Sequence, residues 1–334
     1  MKVVRLRSPG GLDNLEFGTE ERAELRRGEM RVRFHATSLN YHDLSIVLGK
    51  LKTPDSRIPM SDGSGEVIEI GEGMIGFAPG DRVMSLFFPL WAGGGASRDI
   101  IVDVPGDYVD GYAREEAVVS AYAFTHVPKG YSHAEAATLP CAALTAWNSL
   151  MAEPAVKPGD SVLVQGTGGV SIFALQFAKA AGAHVIATSS SNEKLERLKG
   201  LGADAVINYR ETPEWGKAVR GLTDGRGVDH VVEVGGAGTL GQSITAVRTG
   251  GHIALVGVLS GYAAEISTVT IMARQIRVHG IGVGSREQQL AMSRAIEANG
   301  IRPIIDSSFP LESIADAFRH QQSNRHFGKI VLEW

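Results

Sequence analysis

The residues with the plainest chemistry form a glycine-rich turn, Gly166-Thr167-Gly168-Gly169-Val170-Ser171. A short apolar run, Val162-Leu163-Val164, enters it. An Ala-rich apolar segment leaves it, and a second apolar run, Val185-Ile186-Ala187, ends in Ser189, Ser190 and Ser191. Strand, turn, helix and strand in this order make the first βαβ unit of a dinucleotide-binding sheet. Gly166 allows the tight turn, and Gly168 lets backbone approach a pyrophosphate. The helix N-terminus presents unpaired N–H groups to the phosphate charge. Ser171 takes the place of the third glycine of the GxGxxG pattern, where helix and strand pack closely. A glycine-rich turn without a ligand is the alternative, and the flanking strands and helix argue against it.

The end of the second strand selects the dinucleotide. A site for NAD places Asp or Glu there to accept from the ribose 2′-hydroxyl. Here Ser189-Ser190-Ser191-Asn192 carries no carboxylate at the tip, and Lys194 and Arg197 follow within a turn or so. Hydroxyls, a new helix N-terminus and a cation suit a 2′-phosphate, which an acid would repel. The expected cofactor is therefore NADP(H). Ser190-x-x-Glu193 also reads as a capping box, a role compatible with phosphate binding. Tyr209, ending the third strand, could stack or bond near the adenosine end.

These residues need a frame to position them. After residue 160 the apolar strand candidates 161–165, 184–188, 205–208, 230–234, 252–257 and 275–281 alternate with helical segments. That pattern predicts a doubly wound, six-stranded parallel sheet, an α/β Rossmann domain. Val170, Ala174, Phe177, Ala178 and Ala181 fall on one face of its first helix and are expected to pack on the sheet. Gly235-Gly236 closes the fourth strand at the carboxyl end, where such sheets bind ligands. Residues 1–110 look different. Arg31–Phe34, Gly65–Ile70 and Asp81–Ser85 read as strands between glycine-rich turns, so this part is β-rich. Helices are expected at His133–Leu139, Leu144–Met151 and Glu287–Asn299. The tail HFGKIVLEW ends in a strand able to return to the β-rich domain.

Composition sets the bounds. The 334 residues, 43% of them hydrophobic, exceed the size of one ordinary core and suggest two domains. The net charge is 33 − 37 = −4, which favours neither nucleic acid nor an anionic membrane as partner. Cys141 is the single cysteine, so no intramolecular disulfide or four-cysteine zinc site can form, as fits a reducing compartment. No run approaches 18 apolar residues, and MKVVRLRSPGG lacks a signal-peptide core. A cytoplasmic protein is expected.

Several motifs in order resemble the medium-chain dehydrogenase/reductase superfamily across nearly the whole chain: RRGEMRVRFHATSLNYHDL, IPMSDGSGEV, PGDRVMS, GTGGV and GKIVL. The resemblance implies a GroES-like β-rich catalytic domain from residues 1–142 and 282–334, and a Rossmann domain from 143–281. Zinc alcohol dehydrogenases of that superfamily bind catalytic zinc with Cys, His and Cys, and a Glu follows the His. Motif alignment puts Asn40, Ser61 and Cys141 at those ligand positions and Asp62 at the glutamate. Amide and hydroxyl are poor zinc ligands. The chain thus resembles the zinc-free branch, with no metal expected. A substitute site from Cys141, Asp62, His42 and Asp43 is the alternative.

Without zinc, hydrogen-bond donors must polarise the substrate carbonyl. The resemblance places Asn40, Tyr41 and His42 in the former metal region as catalytic candidates. Asn40 would orient substrate or cofactor amide, Tyr41 would donate a phenol hydrogen bond, and His42 would act as acid. Asp43 would position its neighbours. The plainer reading is that Tyr41 and His42 merely begin a structural helix. Further cofactor contacts implied are Thr145 near the nicotinamide, Gly257-Val258-Leu259 beside the carboxamide, Ser285 and Arg286 near the domain junction, and Lys329 toward phosphate. Phe87, Phe88, Leu90 and Trp91 form either an apolar substrate wall beside a glycine-rich lid or a satellite core.

The function implied is NADPH-dependent, zinc-independent hydride transfer to a quinone or α,β-unsaturated carbonyl. The close alternative is a zinc-free NADP-dependent alcohol dehydrogenase or ketone reductase. A third is a non-catalytic NADPH-binding sensor or structural protein. The resemblance also implies a homodimer paired through the last sheet strand, near Gln275–Val283.

Overall fold

In the computed structural model, which describes residues 1–152 and 154–334, the chain folds into two compact units. One comprises Met1–Leu144 and Val283–Trp334, the other Thr145–Gly282.

The first unit begins with strands β1 (Lys2–Leu6) and β2 (Leu15–Thr19), an antiparallel pair. Strands β3 (Glu29–Ser38), β4 (Ser64–Ile70), β5 (Arg82–Ser85), β6 (Glu116–Ser120) and β7 (Phe124–His126) follow. Helix α1 (Tyr41–Val47) lies between β3 and β4. Met30, Val32, Phe34, Val67, Val83 and Phe124 alternate inward along these strands and bury a core, as period-two patterning requires. Helix α2 (His133–Ala137) is shorter than the expected 133–139. Pro140, with no N–H to donate, sits where the chain widens into a π turn over Leu139–Ala143. Helix α3 (Leu144–Met151) has the expected bounds.

The second unit is a parallel sheet of β8 (Ser161–Gln165), β9 (His184–Ser189), β10 (Ala205–Asn208), β11 (Val228–Glu233), β12 (Val247–Leu255) and β13 (Arg277–Gly280), in the order β10-β9-β8-β11-β12-β13. Its helices are α4 (Gly169–Ala180), α5 (Asn192–Gly200), α6 (Trp215–Gly221), α7 (Leu240–Ala246) and α8 (Thr268–Ala273). Strand β8 is buried along its whole length, as a central parallel strand covered on both faces must be. Helix α4 is apolar on more than the expected face. Ile172, Phe173 and Leu175 are buried with Ala174, Phe177 and Ala178, whereas Val170 and Ala181 are only half-buried. Trp147 of α3 packs edge-on against Phe177, 5.5 Å between centroids. Strand β13 is shorter than the expected 275–281; Gln275, at φ 51°, breaks the extended backbone before it.

The chain then returns to the first unit through α9 (Arg286–Asn299), β14 (Ile305–Pro310), α10 (Ile314–Gln322) and β15 (Lys329–Glu333). The tail strand β15 pairs antiparallel with β3 and parallel with β14, completing a seven-stranded sheet in which β6 pairs with β3. That register puts Lys329 beside the start of α1.

Candidate functional site

In the second unit, β8 delivers its carboxyl end to the glycine turn. Gly166 has φ 72°, a left-handed conformation that glycine adopts without strain, and its N–H donates to Thr188 O at 2.8 Å. No protein atom lies within 4 Å of where a Cβ on Gly166 or Gly168 would stand, so the face of the turn is open. Gly168 caps α4 without a side chain, which leaves the first N–H groups of this 12-residue helix for a ligand. Thr167 is buried within the turn. Ser171 explains its own departure from glycine. Its buried hydroxyl donates to Gln165 O at 2.6 Å, tying helix to strand. The turn fits a dinucleotide pyrophosphate.

The serine tip is built by hydrogen bonds between neighbouring strands. Asn208 pairs in register with Ser189, and Tyr209 N donates to Ser189 O at 3.1 Å. Ser189 Oγ accepts from Ser191 N at 3.3 Å. The cap of α5 is Ser191, accepting from Lys194 N at 3.4 Å, and not the expected Ser190 pair with Glu193. The shift by one residue arises because Ser191 keeps extended backbone, so the helix starts at Asn192. Ser190 is half-buried, and Tyr209 stands 40% exposed at the strand end. Sequence reasoning missed Glu211. Its Oε1 accepts from Asn192 Nδ2 at 2.9 Å and from Asn208 Nδ2 at 2.8 Å.

Glu233 was missed as well. Fully buried at the end of β11, its carboxylate accepts from the N–H groups of Gly235 (2.8 Å) and Gly236 (2.9 Å), from Thr239 Oγ1, from Gln165 Nε2 (2.8 Å) and from Ser243 Oγ. It fixes the loop after β11. That loop abuts the one after β12, where Ser260 N donates to Gly235 O at 2.7 Å. Gly257 is half-buried there, and Val258 (38%) and Leu259 (55%) are exposed. Thr145 is buried at the start of this unit, its carbonyl accepting from Ser149 Oγ.

In the first unit, β3, α1, the segment before β4, and β15 bring together a buried polar cluster. Asn40, capping α1, donates Nδ2 to Asp62 Oδ2 at 2.9 Å and to Ser61 Oγ at 3.3 Å. Its Oδ1 accepts from Lys329 Nζ at 2.6 Å, and Lys329 also donates to Leu39 O. Asp43 accepts from the N–H of Asn40 (2.9 Å) and of Ser61 (2.8 Å). Asp62 is wholly buried and accepts from Ser38 Oγ at 3.1 Å; its Oδ1 has no partner. Burial pushes the Asp62 carboxyl up, and the Lys329 charge opposes that shift. Burial pulls the Lys329 ammonium down, against the field of Asp62. The Cys141 thiol is held high by burial and then by Asp62.

Three further cofactor candidates of this unit have partners within the protein. Lys329, implied to reach phosphate, is the cation compensating Asp62 and Asp43, because β15 begins beside Asn40. Ser285 is buried and caps α9 by accepting from Gln288 N at 3.2 Å. Arg286 donates to the carbonyls of Tyr122 and Phe124, which anchors it to β7.

Tyr41 packs its ring, partly buried, against the apolar cluster of Leu39, Leu44 and Val47. His42 points elsewhere. Its Nε2 lies 3.5 Å from Asp107 Oδ2, and its ring meets Phe87 edge-on at 5.4 Å. Asp107 was not legible in the sequence. Burial raises its carboxyl pKa, with His42 opposing. Phe87 and Trp91 are buried, and Leu90 is half exposed.

The residues at the superfamily's metal position do not fit zinc. Asn40 is held between an ammonium and a carboxylate, Ser61 is a hydroxyl, and Cys141 is the one thiol. Among the described residues, no three His, Cys, Asp or Glu side chains are grouped to hold a metal ion. The substitute set of Cys141, Asp62, His42 and Asp43 is thus not assembled. His42 turns to Asp107.

Residues 26–129 match the alcohol dehydrogenase GroES-like domain family, and residues 169–298 the zinc-binding dehydrogenase family. A zinc-type alcohol dehydrogenase-like protein of Schizosaccharomyces pombe is 43% identical over 93% of this chain and 92% of its own length. The structure of an NAD-dependent alcohol dehydrogenase is 36% identical, with TM-score 0.92 over all of both chains. That of a crotonyl-CoA carboxylase/reductase in complex with NADP is 25% identical, with TM-score 0.84 over all of this chain and 94% of that one.

Proposed function

Given that this chain belongs to the alcohol dehydrogenase-like medium-chain dehydrogenase/reductase family, and so is an NAD(P)-dependent oxidoreductase, we propose that it works without zinc and transfers hydride from NADPH to a quinone or α,β-unsaturated carbonyl. The observation that carries the zinc-free reading is Asn40, hydrogen-bonded to Lys329 and Asp62 where the superfamily has a thiolate.

The bound nicotinamide supplies the hydride. This chain's residues do the rest. The N–H groups at Gly168–Val170 hold the pyrophosphate, and Ser189, Ser190, Ser191 and Lys194 receive the 2′-phosphate, with Tyr209 beside the adenosine. Thr145, Gly257, Val258 and Leu259 serve the nicotinamide end. His42, backed by Asp107, holds the proton for the oxyanion or enolate, and Asn40 is kept in one orientation. Phe87 beside His42 favours an apolar carbonyl.

The alcohol dehydrogenase relatives favour a second reading, reduction at the C=O itself. Product analysis with NADPH and a cyclic enone separates them: saturated ketone is expected, and allylic alcohol as sole product overturns the first reading in favour of the second. Metal analysis of active protein is expected to find no stoichiometric zinc; one zinc per chain overturns the zinc-free reading. The bare edge of β13 supports a homodimer, and the single cysteine a cytoplasmic setting.

A further inference from the structure

We propose that Glu211 is a specificity-determining residue for the adenosine ribose, an acid delivered to the serine tip from the neighbouring strand. The proposal rests on the dinucleotide reading of the tip and deepens it. The second strand itself ends without a carboxylate, which alone would favour a 2′-phosphate. The register of β9 and β10 alters that balance. Asn208 lies opposite Ser189, and Tyr209 N bonds to Ser189 O at 3.1 Å. The chain then brings Glu211 back onto Asn208 and onto Asn192, the residue that follows the serines. Asn208 Nδ2 also bonds Asn192 Oδ1 at 2.7 Å, so two amides, one ending β10 and one opening α5, hold one exposed carboxylate oxygen in place.

The consequence is electrostatic. A carboxylate fixed at the tip repels the doubly negative 2′-phosphate and leaves a 2′-hydroxyl unopposed. Glu211 lowers the preference for NADP(H) that the serines and Lys194 create, so NAD(H) stays within reach of the same site. Because the carboxylate is exposed, salt screens the repulsion.

The test is titration of the full chain with NADPH and NADH, followed by nicotinamide fluorescence, for wild type, Glu211→Gln and Ser189→Asp. Glu211→Gln is expected to tighten NADPH about tenfold at low salt, equivalent to about 1.4 kcal/mol, and to leave NADH within about threefold. At 0.5 M salt the gain should shrink to roughly twofold. Asn208→Ala, which frees the carboxylate, should reproduce part of the gain. An unchanged NADPH affinity in Glu211→Gln, with thermal stability retained, overturns the role of Glu211 while Ser189→Asp still shifts the ratio toward NADH. If wild type binds neither nucleotide, the dinucleotide reading fails and this proposal with it.

Discussion

Lys329 donates to the amide oxygen of Asn40 over 2.6 Å, and both side chains are buried. The same amide donates to Asp62. A cation and an anion are therefore bridged by one neutral side chain, in a site too dry to leave either charge alone.

Removing the cation should expose that dependence. At pH 8, above the raised Asp62 pKa, Lys329→Met is expected to cost about 3–5 kcal/mol in urea denaturation, because the ionised Asp62 loses its counter-ion. Lys329→Met combined with Asp62→Asn should recover a large part of the loss. A double variant no better than the single would show that the two charges are not coupled.

The orientations of Tyr41 and His42 predict unequal kinetic effects. His42→Ala should lower kcat by about 10²-fold with NADPH affinity little changed, as for a positioned acid. Tyr41→Phe, in a ring that packs on the core, should change kcat by less than about threefold. Asp107→Asn should fall between them. Equal losses in the His42 and Tyr41 variants would contradict this assignment.

The serine at the third glycine position carries a test of the turn. Ser171→Ala leaves Gln165 O short of its side-chain donor and should cost about 1 kcal/mol. NADPH affinity should weaken with it, because the same bond holds α4 against β8. Ser171→Ala binding NADPH as tightly as wild type would separate the bond from the site.

Stability should respond to pH through two opposed groups. His252 is buried between His230 and His279 with neither ring nitrogen partnered, and burial lowers its pKa from 6.5 to about 4. As pH falls from 6.5 toward 4, the unfolded chain takes up a proton that the folded one refuses, so stability falls. Asp62 runs the other way. Raised from 3.8 to about 7, it holds a proton in the folded state that the unfolded state has lost, so its contribution is lost as pH rises through that window. Between pH 7 and 5, His252→Leu should lose less Tm than wild type, and Asp62→Asn should lose more. Parallel slopes in all three would refute both assignments.

Much of the architecture was legible in the residues. The strands at 161–165 and 205–208 and the helix at 144–151 have the expected bounds. Boundaries slipped where single residues decide, as at Pro140, Gln275 and Ser191. The candidate site was legible only in part. Gly166–Ser171 announce themselves because a phosphate turn is local in sequence. Asp107, Glu211 and Glu233 carry no motif, and their roles come from strand register and loop return.

Sequence alone determined the fold class and the glycine turn, for those are set by residue type at short range. Tertiary structure decided what the charges do. Lys329 lies 289 positions from Asn40 and meets it only because β15 pairs with β3. Glu211 reaches Asn192 across 19 residues only because β10 lies beside β9. A charge acts through distance and desolvation, and neither is written along the chain.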